Sequence, residues 1–540
     1  MRFCLWAGTL SSFSVLRQCA FLPNQSSHRV VVGTRLYSND RAIFKDSLER
    51  TLEAHRNSNR ASLVRKVFDR TSSTDPTRRT IPAREASSLK PPEKASSPGT
   101  AAQLVSSVLP TRTARSLGKF RKDLGITSRN ILRSRIQWSV NAEQDRRVQS
   151  PWMDRWDAGR QWPDGLSQLD AEIRALEEYL LPTPSEQDKI NLIVSEVTSA
   201  LTNTMPYAPL VIGSRRTGFA MSHSSLDFIL PVPDPARSSD RVRKPSPTRP
   251  QVLDLYSNLL RRVKCTLEQC SAFNGRVESI GKRNSILIAV HHETGVRVQL
   301  HCGEGLPSSV EYIHDYYAEY PAIRPLYMVT RLILEARELF GRHKASIGPD
   351  TLVMLLVAFL KMNHGRFQGP GSLGEQLLAF LNVHGSGVDL TRTGVSVDPP
   401  SFFNEDTVKD IVRTYDAEYL PAHLRGQRAL VNQKRTATAK GNLTAASRLC
   451  LQDPANYMND IGRACSRTRE LQYVFARAYD SLSVCLGAWK RDGSINSLLA
   501  STLQANFDDF GKARAQIIWA GRGSPYTTHT HEGRLSILEK

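Results

Sequence analysis

Cysteine is scarce in this 540-residue chain: eight residues (Cys4, Cys19, Cys265, Cys270, Cys302, Cys450, Cys465 and Cys485), none in a Cys-x-x-Cys spacing. No histidine cluster has zinc spacing either, which argues against a disulfide scaffold or a structural zinc and points to a reduced compartment. Long apolar runs are missing too. The longest, Leu352-Val-Met-Leu-Leu-Val-Ala-Phe-Leu360, falls far short of the ~20 residues that span a bilayer, so no membrane insertion is expected. Acid is absent at the start: the first Asp or Glu is Asp40. Arg2, Arg17, Arg29 and Arg35 precede it, among many serines and apolar residues. That is the make-up of a mitochondrial targeting presequence over residues 1–39, and polar interruptions argue against a secretory signal. Arg35-Leu-Tyr-Ser38 looks like a matrix-peptidase cleavage site, so the expected location is the mitochondrial matrix.

What is abundant is positive charge. The net charge is +20, of which +16 falls in residues 1–150 and +4 in 151–540. Residues 40–160 read as a basic, disordered, low-complexity arm or linker, with Pro-Pro-Glu-Lys and Ser-Ser-Pro-Gly breaking any periodicity. Its Lys/Arg-rich part, residues 112–135, suits either an RNA backbone or a solvated tether. Residues 501–540 read as a C-terminal tail, its last part from Gly521 disordered.

Order is expected from about Trp152. Leu166 to Leu181 repeats apolar residues at helical spacing and stops at Pro182; a second helix carries Ile190, Ile193, Val194, Val197 and Leu201 on one face. The stretch Val211 to Leu230 then reads as a strand, a Gly213-Ser214 turn, a loop and a second strand holding Asp227 among Leu226, Phe228, Ile229 and Leu230. A Gly-Ser turn offers unpaired amides to an anion. Val252 to Leu267 reads as a helix. Val277 to Ile280, Ser285 to Val290 and Val296 to His301 read as strands of the same mixed sheet.

Gly-Ser followed at about ten residues by an acidic strand resembles the signature of the polymerase-beta-like nucleotidyltransferases, specifically the non-canonical poly(A) polymerase and terminal uridylyltransferase family. Later segments carry the same resemblance. Arg324 to Arg337 is similar to the helix that opens the family's central domain. Ile347-Gly-Pro-Asp-Thr-Leu352 stands where the family has Leu-Ser-Ser-Tyr. Ser372 to Leu381 is similar to the start of the poly(A)-polymerase-associated region, with Gly387 to Leu390 and Gly394 to Val397 as its hairpin. Asp453-Pro454 with Asn459-Asp460-Ile-Gly462 is similar to the nucleotide-recognition loop. A loop-to-helix cap by Asp460 is a further expectation there.

The resemblance implies an α/β nucleotidyltransferase palm, a mixed sheet with helices, over residues 161–312 with its preceding helices, and an α-helical central and associated domain over 313–500. It implies Gly213, Ser214, Arg331, Asp453, Asn459 and Asp460 as nucleotide-binding residues. It also implies a trio of acids for two Mg²⁺ (or Mn²⁺) ions, and here the trio reads Ser225, Asp227 and Gln299. Only Asp227 remains as catalytic and metal-holding acid. Two hard cations need several anionic oxygens, and Glu293 or Asp234 is out of register as a substitute. Of the two lysines the family places four apart to reach phosphates, the chain has Arg331, which can still hold one, and Glu335, which would repel it. Asp350 and Pro349 replace residues that contact base and phosphate.

Three functions follow. The first is a mitochondrial RNA-binding relative of poly(A) polymerases with weak or absent transferase activity, acting in a protein complex. The second is an active transferase that uses ATP or another NTP to extend RNA 3′ ends. The third is a structural partner that binds protein through its helical half.

Overall fold

The computed structural model describes residues 136–138, 149–154, 156, 161–232, 249–273, 277–280, 285–303, 308–341, 344–369, 371–415, 420–491 and 496–520. The presequence, nearly all of the basic arm, Asp234 and the segment from 521 onward lie outside them.

Two helices open the ordered chain, α1 (Gly165–Leu180) and α2 (Pro184–Leu201). Asp164 caps α1, accepting from Ser167 N–H at 2.7 Å. Thr183 and Glu186 form a capping box at α2, with Pro184 fixing its first turn. The palm follows: β1 (Leu210–Ile212), β2 (Leu226–Pro231), α3 (Arg249–Gln269), β3 (Val277–Ile280), β4 (Ile286–Val290) and β5 (Arg297–Gly303). The sheet order is β1-β2-β5-β4-β3. β2 and β5 run parallel and the other pairs antiparallel. One face carries Leu226, Phe228, Leu230, Val298 and Leu300 into a core shared with α2 and α3. Strand alternation sends Asp227, Gln299 and Arg297 to the other face.

The helical half comprises α4 (Ser308–Glu319), α5 (Ile323–Glu335), α6 (Pro349–Met362), α7 (Ser372–Asn382), α8 (Glu405–Arg413), α9 (Ala422–Ala439), α10 (Thr468–Gly487) and α11 (Asp508–Trp519). A small sheet, order β7-β6-β8, is built from β6 (Gly394–Val397), β7 (Pro400–Phe403) and β8 (Leu451–Gln452). α6 is buried along nearly its whole length, which is why its sequence reads as one apolar run. Among the described residues no helix is long and apolar enough to cross a membrane.

Several expected boundaries shift. The two helices before Gly213 divide between the cores, α1 packing into the helical one through Leu169, Ile173 and Leu176 and α2 into the palm through Ile190, Ile193 and Val197. The division at 312 falls inside α4, whose Tyr312, Ile313 and Tyr316 are already helical core. The hairpin partner of Gly394–Val397 is Pro400–Phe403; Gly387 ends a π-turn (Val383–Gly387) instead. The tail does not begin at 501. Residues 496–520 are ordered, and α11 places Phe510 and Ala513 in the helical core and Ile517 in the palm core. The arm is not wholly detached: Ile136, Trp138 and Trp152 are buried in the helical core. Trp138 meets Phe507 and Phe510 at ring distances of 5.3 and 5.5 Å.

Candidate functional site

β1 ends at Ile212, opposite Asp227 on β2, and Asp227 in turn lies beside Gln299 on β5. Between β1 and the helical turn Ser214–Thr217, Gly213 has φ +71°. A Cβ there would lie 2.5 Å from Asp227 Oδ2, so glycine is required both by the backbone and by the carboxylate beside it. The structure thus gathers Gly213, Ser214, Ser225, Asp227 and Gln299 at one end of the sheet.

Ser225 Oγ donates to Asp227 Oδ1 at 2.9 Å. Burial pushes the Asp227 carboxyl up and Asp350 adds to this, while the Ser225 hydrogen bond and the cations Arg215 and Arg297 pull the other way. Arg215 is itself sequestered. Its Nη2 donates to the carbonyls of Ser222 and Ser224 at 2.9 and 2.7 Å, fixing the loop after the Gly-Ser turn. Burial brings its guanidinium down to about 10 against the pull of Asp227 and Glu186. That loop is held from the far side as well, by Phe219 against Tyr317 and Tyr327 of the helical half. Glu293 lies in the turn between β4 and β5, outside the strand register that brings Asp227 beside Gln299.

On the helical side, Arg331 and Glu335 are joined to each other. Arg331 Nε donates to Glu335 Oε1 at 2.8 Å, and the guanidinium lies 5.1 Å from the Phe340 ring centre and 5.9 Å from that of Tyr327. The expected phosphate holder is therefore already neutralised by the residue expected to repel phosphate. Asp350, in the first turn of α6, faces Asp227 and Tyr312 closely enough to disfavour ionisation of both.

The loop of Asp453, Asn459 and Asp460 turns its polar side chains on itself. Asp453 accepts from Ala455 N–H at 2.9 Å and from Asn459 Nδ2 at 3.0 Å. Asp460 accepts from Leu451 and Gly462 N–H at 3.0 and 2.9 Å. It does not cap the following helix, which starts at Thr468 with Arg467 in the cap position. Asp460 is instead a buried tie between β8 and its loop. Reading the sequence missed Arg215 and Arg297. Arg297 was accessible through alternation with Gln299, whereas Arg215 gave no signal beyond its place beside Ser214.

The donor set does not fit a pair of magnesium ions. One carboxylate, already flanked by two arginines, stands with a hydroxyl that donates to it and an amide. Among the described residues no three of His, Cys, Asp or Glu converge as a metal cage.

Comparison with known proteins bears on the family. No protein-family model matches the chain. It is 23% identical over 343 residues to poly(A) RNA polymerase protein 2 of Saccharomyces cerevisiae, covering 62% of this chain and 50% of that protein. It is 22% identical over 311 residues to poly(A) RNA polymerase cid14 of Schizosaccharomyces pombe, covering 57% and 39%. These similarities are to poly(A) RNA polymerases, in line with the resemblance to the non-canonical poly(A) polymerase and terminal uridylyltransferase family. The chain spans about half or less of the length of these curated relatives. Among solved structures, the polymerase core of TRAMP, an RNA surveillance complex, aligns with a TM-score of 0.49 at 20% identity, covering 66% of this chain and 99% of that one. At the positions where the resemblance implies an acid trio this chain carries Ser225, Asp227 and Gln299, and its Arg331 is paired with Glu335.

Proposed function

We propose that the protein is a mitochondrial, RNA-associated member of this template-independent RNA nucleotidyltransferase family, with weak or absent transferase activity, working in a protein complex of RNA metabolism. The observation that carries this is the state of Asp227: the one acid of the trio, hydrogen-bonded by Ser225 and flanked by Arg215 and Arg297. Two-metal phosphoryl transfer draws much of its rate from carboxylate-held cations, and this site has neither the charge nor the free oxygens to hold two. The palm is then kept for its shape. The acid-poor segment 1–39 supports the matrix location, and the charge of residues 40–150 supports contact with RNA.

A second reading, an active Mg²⁺-dependent adenylyl or uridylyl transferase using ATP or another NTP, is favoured by one observation. Asp350 brings a second carboxylate to the Asp227 end of the cleft from the helical side.

The deciding experiment incubates the full chain with a labelled adenylate oligonucleotide, Mg²⁺ or Mn²⁺, and each NTP, beside Asp227→Ala. Extension lost in the variant establishes the enzyme. No extension with salt-sensitive RNA binding retained supports the first reading. A reporter fused to residues 1–45 that stays cytosolic removes the mitochondrial assignment.

A further inference from the structure

The helix α10 turns an unusual face to solvent. Arg469, Tyr473 and Arg477 are exposed at successive i, i+4, i+8 positions, which places them ~6 Å apart along one line. Tyr473 is 66% exposed, a large ring left in water. Two surface cavities flank this line. One, of about 340 Å³, is lined by Tyr473, Arg469, Arg467 and Leu339. The other, of about 430 Å³, is lined by Arg469, Gln472, Arg392 and Ser386. Arg469 is the wall between them, and neither contains a residue of the Asp227 cleft.

The charges around this face leave a positive surplus. Glu470 is taken by Arg467 through both guanidinium arms. Asp389 accepts from Thr391 and lies 4.0 Å from Arg392. Asp480 stands further along the helix and makes no ion pair among the described residues. Arg337 is occupied by the carbonyls of Ile333, Leu503 and Thr502. Arg469 and Arg477 form no ion pair among the described residues. A ring bracketed by two cations, with the one carboxylate on its cavity wall, Glu470, already taken by Arg467, is the arrangement that stacks an unpaired base and holds its flanking phosphates. An acidic protein surface would answer the cations but leave the ring without a partner of matching shape.

We propose that the α10 face around Tyr473 binds single-stranded RNA outside the cleft, one base stacked on Tyr473 and the adjoining phosphates on Arg469 and Arg477. This rests on the RNA-associated reading above and adds the place where RNA is held. It gives the protein a grip on RNA that does not depend on Asp227 or on nucleotide.

The test is fluorescence anisotropy of a labelled adenylate oligonucleotide with the full chain, across a salt series. The variants are Tyr473→Ala, Tyr473→Phe and Arg469→Ala/Arg477→Ala. All three α10 side chains are exposed, so melting temperatures stay at the wild-type value. Tyr473→Ala weakens binding about tenfold, the loss of one stacked base, and Tyr473→Phe restores it. The double arginine variant reduces the slope of log K against log salt by about 1.4, two single-strand phosphate contacts. If the α10 variants all bind as wild type while the wild type binds RNA, this placement is wrong, the RNA-associated reading stands, and the face is left to a protein partner. If the wild type shows no salt-sensitive affinity, both fall.

Discussion

Gly213 and Asp227 compete for the same few ångströms, and that sets what each can become. Gly213→Ala puts a methyl 2.5 Å from Asp227 Oδ2 at a φ of +71°. The expected cost is about 2–5 kcal/mol, strain plus overpacking, read as a fall in chemical-denaturation midpoint. Asp227→Ala in the same chain recovers part of it, because the carboxylate clash is relieved and the backbone strain stays. The two replaced acids support a second prediction. Ser225→Asp/Gln299→Asp places three carboxylates at one sheet end, so in chelator its melting temperature drops below wild type. Added Mg²⁺ or Mn²⁺ raises it by about 2 °C or more through binding to the folded state. The wild-type chain is expected to show no such shift, and a wild-type shift of equal size would contradict the proposed function. The resemblance began at Gly213, Ser214 and Asp227 but rested on the later segments, Arg324 to Arg337, Ser372 to Leu381 and Asp453 to Gly462. The pairing of Arg331 with Glu335 was legible only as a spacing of four, and nothing in the sequence says whether such a pair closes on itself or opens to a ligand. Asp460 was misread because its partners, Leu451 and Gly462 N–H, come from folding the loop back, not from the helix ahead.

At the scale of elements, α11 joins the two halves. Arg514 donates from Nε and Nη2 to the two oxygens of Glu186 at 2.9 and 3.0 Å, and from Nη1 to Tyr179 O at 2.6 Å. Glu186 is meanwhile the capping-box acid of α2 and accepts from Ser222 in the Gly-Ser loop at 2.6 Å. Removing Arg514 as Met leaves a buried carboxylate unpaired and costs about 3 kcal/mol, measured by denaturant unfolding. Burial alone would raise the Glu186 carboxyl; the hydrogen bonds from Arg514, Ser222 and Thr183 N–H outweigh it and hold it below the ordinary 4.5. A depressed folded value means this stabilisation is complete above the ordinary value and is lost as pH falls through the folded one. The stability gap between wild type and Glu186→Gln is therefore flat above about pH 5 and narrows in more acid solution, checked by melts across that range. The sequence carried the signal for α11 in Phe510, Ala513, Arg514 and Ile517, an i, i+3, i+4, i+7 face. It was obscured because the helix is short and follows a polar, glycine-bearing stretch. The helices α1, α2 and α3 and the palm strands were legible within a few residues, since their apolar periods are sustained; α5 was legible through the resemblance, and α6 only as an apolar run. The pairing of β6 with β7 was not, because Pro399 and Pro400 look like a break where the chain builds a tight hairpin.

For the whole molecule, the two cores are not independent. Ile517 closes the palm core while Phe510 and Ala513 close the helical one, and Phe219 of the palm loop enters the helical core. Truncation after Asn506 removes α11, bares Trp138 and Tyr179, and leaves Glu186 unpaired. Such a chain is expected to lose its cooperative thermal transition by circular dichroism, whereas truncation after Ala520 keeps it. This dependence was invisible in composition, because the segments that meet are hundreds of residues apart.

Glu172 carries the same dependence into the life of the chain in time. It is fully buried, and accepts from Trp152 Nε1 at 3.0 Å, from Leu498 and Leu499 N–H at 2.8 and 3.2 Å, and from Ser497 Oγ. During synthesis the Glu172 carboxylate therefore waits, hydrated, for partners more than three hundred residues downstream. α1 has no settled seat until the ribosome has passed residue 499, and the strap over both cores comes later still. A chain made this way stays open for most of its translation, a property compatible with the mitochondrial import proposed above.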